Sequence, residues 1–163
     1  MALLTYTTYD DIRAALGVSS DEIEDATLSL ALYELNLTSE FEDIDLSLES
    51  TYATVSALTS RTDVQERFLQ ATRLFSTYAV AYQATTSLPL FSPKDITDGK
   101  AAFSRYADSP YKEVIKRVEQ FYGKYKSRLE QALAAATAVS APSITYRPYL
   151  SVGVPTSDPV TGT

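Results

Sequence analysis

The chain has 163 residues, a formal net charge of −7, 45% hydrophobic residues, and neither cysteine nor histidine. That length and apolar content suit one domain with one real core. The missing thiols and imidazoles exclude disulfides, zinc–thiolate sites and the commonest general base, and the acidic balance argues against a nucleic-acid binder.

Residues 8–17 read as a short helix. Thr8 is placed to cap it, Asp10 and Asp11 lie where the helix dipole favours acids, and Gly17 ends it. Ile12, Ala15 and Leu16 form its small apolar face. A second helix is predicted over 19–37, with Ser19 as N-cap and Glu22 at the capping-box position. Ile23, Ala26, Leu30, Tyr33 and Leu37 make its core stripe. Leu28, Leu32 and Leu35 make a second stripe, so this helix reads as apolar on two sides, as a central helix or one meeting a neighbouring subunit would be. Across 38–60 the pattern weakens. Phe41, Ile44, Leu46 and Leu48 alternate loosely with acids and serines, which suits an extended edge segment or an acidic loop, with a turn or two of helix over 50–58.

Thr62 and Gln65 form another capping box, opening a long helix to about residue 87. Its buried face is read as Val64, Phe68, Ala71, Phe75, Tyr78, Ala79 and Tyr82. Pro89 and Pro93 then disfavour helix before them. A short helix is predicted over 99–106, with Ala102, Phe103 and Tyr106 inward. Pro110 at a first helical position opens the clearest helix, 110–138. Its stripe runs through Tyr111, Val114, Ile115, Val118, Phe121, Tyr122, Tyr125, Leu129, Ala132, Leu133 and Ala136. The alanine-rich part, 132–138, lets another backbone approach closely. The predicted fold class is all-α: a body over 1–139 with two long antiparallel helices and shorter N-terminal ones, then an extended C-terminal tail over 140–163.

The tail carries four prolines and two glycines with little large apolar surface. Such a segment cannot offset an ordering cost of roughly 1–2 kcal/mol per residue by itself. It is expected to order on a partner chain, the alternative being a tail that stays disordered. Tyr146, Arg147 and Tyr149 are its candidate anchors, because tyrosine is enriched at interfaces. Leu150, Val152 and Val154 alternate with period two, which suits addition of a strand to another chain's sheet, or a coil lying along a groove.

No nucleotide-binding, hydrolase or metalloprotease motif is present. A calcium loop starting at Asp43 would find Asp45 and Ser47 in place, but Leu48 falls where glycine is needed and no acid falls at 53–55. No metal, cofactor or catalytic residue is expected. No apolar run of about 18 residues exists, so no membrane span is expected, and the first residues lack the features of a signal peptide.

Charge is unevenly spread. Residues 1–50 hold twelve acids and one base, Arg13, whereas residues 100–131 hold eight bases and four acids. Two solvated faces of opposite bias would give this, and so would a subunit whose copies meet acidic side to basic side. Head-to-tail contacts of that kind close rings. The candidates are Asp21, Glu22, Glu24 and Asp25 on one side, and Lys112, Lys116, Arg117 and Lys124 on the other.

The opening Thr8-Tyr9-Asp10-Asp11-Ile12-Arg13-Ala14-Ala15-Leu16-Gly17, the acidic helix after it, the two long helices and the adhesive tail together resemble the head-to-tail connector (adaptor, or head-completion) family of tailed bacteriophages. The resemblance covers about residues 5–135, by pattern more than identity. It implies an all-helical, non-enzymatic virion protein of the neck. About twelve copies would form a ring between the capsid portal and the tail or nozzle proteins. The ring would extend the DNA channel, and its C-terminal segment would grip the portal. An acidic wall also suits DNA sliding past without sequence-specific binding. Two other readings stay open: a non-viral helical adaptor that binds one partner through its tail, and a small-ligand-binding helical bundle.

Overall fold

A computed structural model describes residues 3–85, the paired segments 95–98 and 101–104, and residues 112–140. The fold is an all-α bundle. In chain order a 3-10 turn, Leu3–Thr5, leads into α1 (Tyr9–Leu16), α2 (Asp25–Leu28), α3 (Ala31–Ile44), α4 (Leu48–Ser56) and α5 (Asp63–Ala84). A small hairpin, β1 (Asp95–Asp98) and β2 (Ala101–Ser104), precedes α6 (Lys112–Ser140).

α1 forms as its sequence dictates. The Thr8 side chain accepts a hydrogen bond from the Asp11 amide, and Gly17 ends the helix at φ 73°. That left-handed conformation favours glycine. Ile12, Ala15 and Leu16 are buried.

The predicted 19–37 helix is replaced by two separate helices. Ser19 and Glu22 do bond to each other, but the residues after them turn instead of coiling. The cause lies at Ile23. Its carbonyl accepts from the Arg13 Nε at 2.8 Å, while the Thr27 amide turns to Glu24. A continuing α-helix would need that carbonyl for the residue 27 amide. A second break falls at Leu30, which stands in extended backbone before α3. Ile23, Leu28, Tyr33 and Leu37 are consequently buried, whereas Ala26, Leu30, Leu32 and Leu35 are exposed. Of the second stripe only Leu28 faces the core.

α3 runs on to Ile44, and α4 follows after three residues, so the edge strand or acidic loop considered for 38–60 is corrected to helix. Phe41, 1% exposed, continues the Tyr33 and Leu37 spacing by four, which is a helical and not an alternating period. At 95–104 the correction runs the other way. Antiparallel strands, with Asp95 opposite Ser104 and Asp98 opposite Ala101, replace the predicted short helix.

α5 is the spine. Its capping box forms, with Thr62 accepting from the Gln65 amide and Gln65 accepting from the Thr62 amide. Phe68, Ala71, Phe75, Ala79 and Val80 are buried, and burying each large apolar side chain contributes about 1.5–3 kcal/mol. Thr72, Ser76 and Thr77 are buried beside them. Their hydroxyls donate to the carbonyls four residues back, and Thr77 also meets Thr7 at 2.7 Å. Polar side chains thus reach the core with hydrogen bonds made.

α6 packs along α5. Phe75, Tyr78 and Tyr82 meet Phe121, Tyr122 and Tyr125, while Val64 and Arg67 share a groove with Arg128 and Ala135. The partners descend along one helix as they ascend along the other, so the two run in opposite directions. Val118, Leu129, Leu133 and Ala136 are buried. α1 lies against both long helices. α3 crosses α5 through Phe41 on Phe75 and Asn36 on Gln83.

Candidate interaction surfaces

Outward-facing charge defines the surface. Lys116, Arg117, Lys124 and Arg128 are exposed on α6. At about 100° per residue they fan over the side away from Val118, Leu129 and Ala136. Lys112 lies at its first turn. None of Lys112, Lys116, Arg117 and Lys124 has a carboxylate partner among the described residues. Lys124 leans over the Phe121 and Tyr125 rings of its own helix at 5.7 and 5.8 Å, and Arg117 reaches to within 3.9 Å of where a Cβ on Gly17 would stand.

The acidic candidates divide. Asp21 and Glu24 are exposed in the segment between α1 and α2, and Glu22 accepts from Ser19 there. Asp25 is paired with Arg13 of its own chain. The structure brings none of these four acids against the four bases within the chain. The tail anchors Tyr146, Arg147, Tyr149, Leu150, Val152 and Val154 lie outside the described residues.

Two polar centres join elements that are separate along the chain. The first is Arg13, 6% exposed. Its guanidinium donates to Ile23 O, to Asp10 at 3.0 Å and to Asp25, tying α1 to the start of α2. Being the lone base among the first fifty residues, set three after Asp10, was the available signal. The second joins α3 to α6. The Tyr122 hydroxyl donates to Glu40 Oε2 at 2.7 Å, Lys126 Nζ donates to the same oxygen at 3.1 Å, and Lys126 also lies over the Tyr122 ring. Burial, then the hydrogen bond to Glu40, pushes the Tyr122 hydroxyl well above the usual tyrosine range. Tyr82 stacks on the same ring at 5.3 Å.

Elsewhere Arg73 clasps the Asp11 carboxylate through Nε at 2.9 Å and Nη2 at 2.6 Å. Partial burial works against ionisation of Asp11, but the bonds from Arg73 and Thr8 hold its carboxyl below the ordinary aspartate range. Burial foremost, with Glu49 nearby, likewise raises the Tyr6 hydroxyl. Among the described residues no group of three or more acids is arranged to hold a metal ion, and no helix is long and apolar enough to cross a membrane.

The chain matches no protein-family model, no curated protein and no solved structure.

Proposed function

We propose that the chain is a structural subunit that assembles head to tail into a ring, and that this ring is the neck connector of a tailed bacteriophage. In that role about twelve copies join the portal to the tail or nozzle proteins, and DNA passes through the channel. The observation that carries the reading is the separation of charge. Exposed bases without carboxylate partners line the outer side of α6, and exposed acids crowd the segments around α2 and the end of α3. A surface divided in this way favours contacts between unlike faces of successive copies, and such contacts propagate until the rotation closes them. The phage assignment within this class rests on the resemblance carried by the opening at residues 8–17, the acidic segment after it, the two long helices and the tail.

Native mass spectrometry and negative-stain imaging test it, on the full chain alone and after mixing with portal rings. Rings are expected, and they should weaken as salt rises to the molar range, because exposed ion pairs are screened. Deleting 143–163 should leave the helical body folded and abolish portal attachment. A chain that stays monomeric with or without portal would overturn the proposal.

A further inference from the structure

The body has an open groove of about 360 Å³ between the first turn of α5 and the last third of α6, lined by Val64, Arg67, Arg128, Gln131, Ala132 and Ala135. Its floor is small and apolar, and an arginine stands on each helix. Neither Arg67 nor Arg128 has an ion-pair partner among the described residues. Nearer the other end of the same helix pair, α1 lies against α5 and α6. The groove itself is uncovered among the described residues.

The α3–α4 corner has the opposite character. Leu46 is 86% exposed. Asp45 Oδ1 accepts from the Ser47 amide at 2.7 Å and from its hydroxyl at 2.6 Å, which fixes the corner. Glu42 and Asp43 are exposed just before it. The corner is an apolar tip in an acidic collar.

We propose that the Asp43–Leu46 corner of one copy seats in the α5–α6 groove of the next. Leu46 would rest on Val64, Ala132 and Ala135, with Glu42, Asp43 and Asp45 facing Arg67 and Arg128. Charge complementarity selects this occupant. The chain's own residues 141–163 carry one acid, Asp158, against one base, Arg147, and offer the two arginines no comparable match.

Geometry makes the contact head to tail. α3 meets α6 through Tyr122 and Lys126. The groove uses Arg128, Gln131 and Ala135, and Gln131 points about 140° around the helix from Lys126. Corner and groove therefore lie on different sides of the molecule. One pair of copies cannot satisfy both contacts reciprocally about a two-fold axis, so each contact leaves a free corner and a free groove for the next copy. The inference names the partner surfaces of the ring reading and shares its head-to-tail premise.

Charge reversal on the full-length chain tests it. Arg67→Glu/Arg128→Glu and Glu42→Arg/Asp43→Arg, which leaves the Asp45 bonds that fix the corner, should each weaken self-association on the order of a hundredfold in sedimentation, since each sets like charges face to face. An equimolar mixture of the two variants should regain wild-type association, because both new pairings are complementary. Simple misfolding in either variant would not be rescued by mixing. The chain has no native cysteine, so Leu46→Cys/Ala132→Cys should give a ladder of cross-linked multimers on mild oxidation.

Rings indifferent to both charge reversals would overturn this contact and leave the ring proposal standing. Cross-linked open filaments that never close would support the contact and sink the ring. A wild-type chain that remains monomeric at high concentration, with no ladder from the cysteine variant, would overturn both.

Discussion

Arg13 offers the sharpest test of how this body is held together. In Arg13→Met the stem is kept, but the Ile23 carbonyl loses its 2.8 Å donor. A buried acceptor left without a partner costs about 1–3 kcal/mol. The two ion pairs add little, because the Asp10 and Asp25 side chains are 94% and 70% exposed and exposed pairs contribute roughly 0–1 kcal/mol. The expected loss is about 2 kcal/mol, which for a domain of this size lowers the melting temperature by roughly 4–8 °C. Arg13→Lys keeps the charge but cannot serve one carbonyl and two carboxylates with a planar fork, and should recover about half of that loss. Asp25→Asn should cost under about 1 kcal/mol. Urea titrations followed by far-ultraviolet circular dichroism measure all three variants. If Arg13→Met matches wild type, the clamp is not holding the α1–α2 junction. If Asp25→Asn costs as much as Arg13→Met, charge and not the carbonyl sets the energy.

Tyr122→Phe removes a hydrogen bond to a carboxylate and should cost about 1.5–3 kcal/mol; a double-mutant cycle with Glu40→Gln should show coupling of roughly 1 kcal/mol, and additive losses would mean that the pair does not act together. The raised Tyr6 and Tyr122 hydroxyls contribute stability that is fully present below the ordinary tyrosine range near pH 10 and is lost as pH rises through their higher folded values, because the unfolded chain gives up those protons first. The urea midpoint should therefore fall above about pH 10, and less steeply in Tyr122→Phe. Asp11 behaves oppositely: its lowered carboxyl contributes stability above the usual aspartate range near pH 4 that fades below it, and Asp11→Asn should flatten that acid limb slightly in the same titration. Phe75→Asp or Val118→Asp, each placing a charge at a 0% exposed site, should leave no cooperative melt.

The helices legible in the sequence were those whose signals are local. Thr8 and Gly17 bracket α1, and Thr62 with Gln65 opens α5, because caps act within four residues and need nothing from the rest of the chain. The long stripe of α6 was legible because Val118, Leu129, Leu133 and Ala136 repeat at helical spacing. Ser19 and Glu22 carried the same local signal and formed the same bond, yet no long helix followed. Arg13, ten positions before Ile23 and on α1, competes for its carbonyl, and neither capping nor periodicity registers that competition. Leu32 and Leu35 show the converse error. Their spacing is helical, but spacing does not say which face meets the core, and α5 was already covered through Tyr33, Leu37 and Phe41.

The interaction surfaces divide along the same line. Uneven charge could be read directly, since counting acids over 1–50 requires no fold. The pairing of those charges could not. Asp25 looked like a free acid and is bound to Arg13, while Glu40, on a stretch read as edge or loop, reaches Tyr122 and Lys126 more than eighty positions away. Arg67 and Arg128 are sixty-one positions apart and become neighbours only because α5 and α6 run in opposite directions. What the fold adds to the sequence is therefore a sorting of charges into those satisfied within the chain and those left over. Among the described residues the leftover charges include bases on α6 and in its groove, exposed Glu113, Glu119 and Glu130 on α6, and acids at the α3–α4 corner and around α2. Because the groove and the corner occupy different sides of one α-helical body, the proposed corner-to-groove contact would run from copy to copy instead of closing a pair.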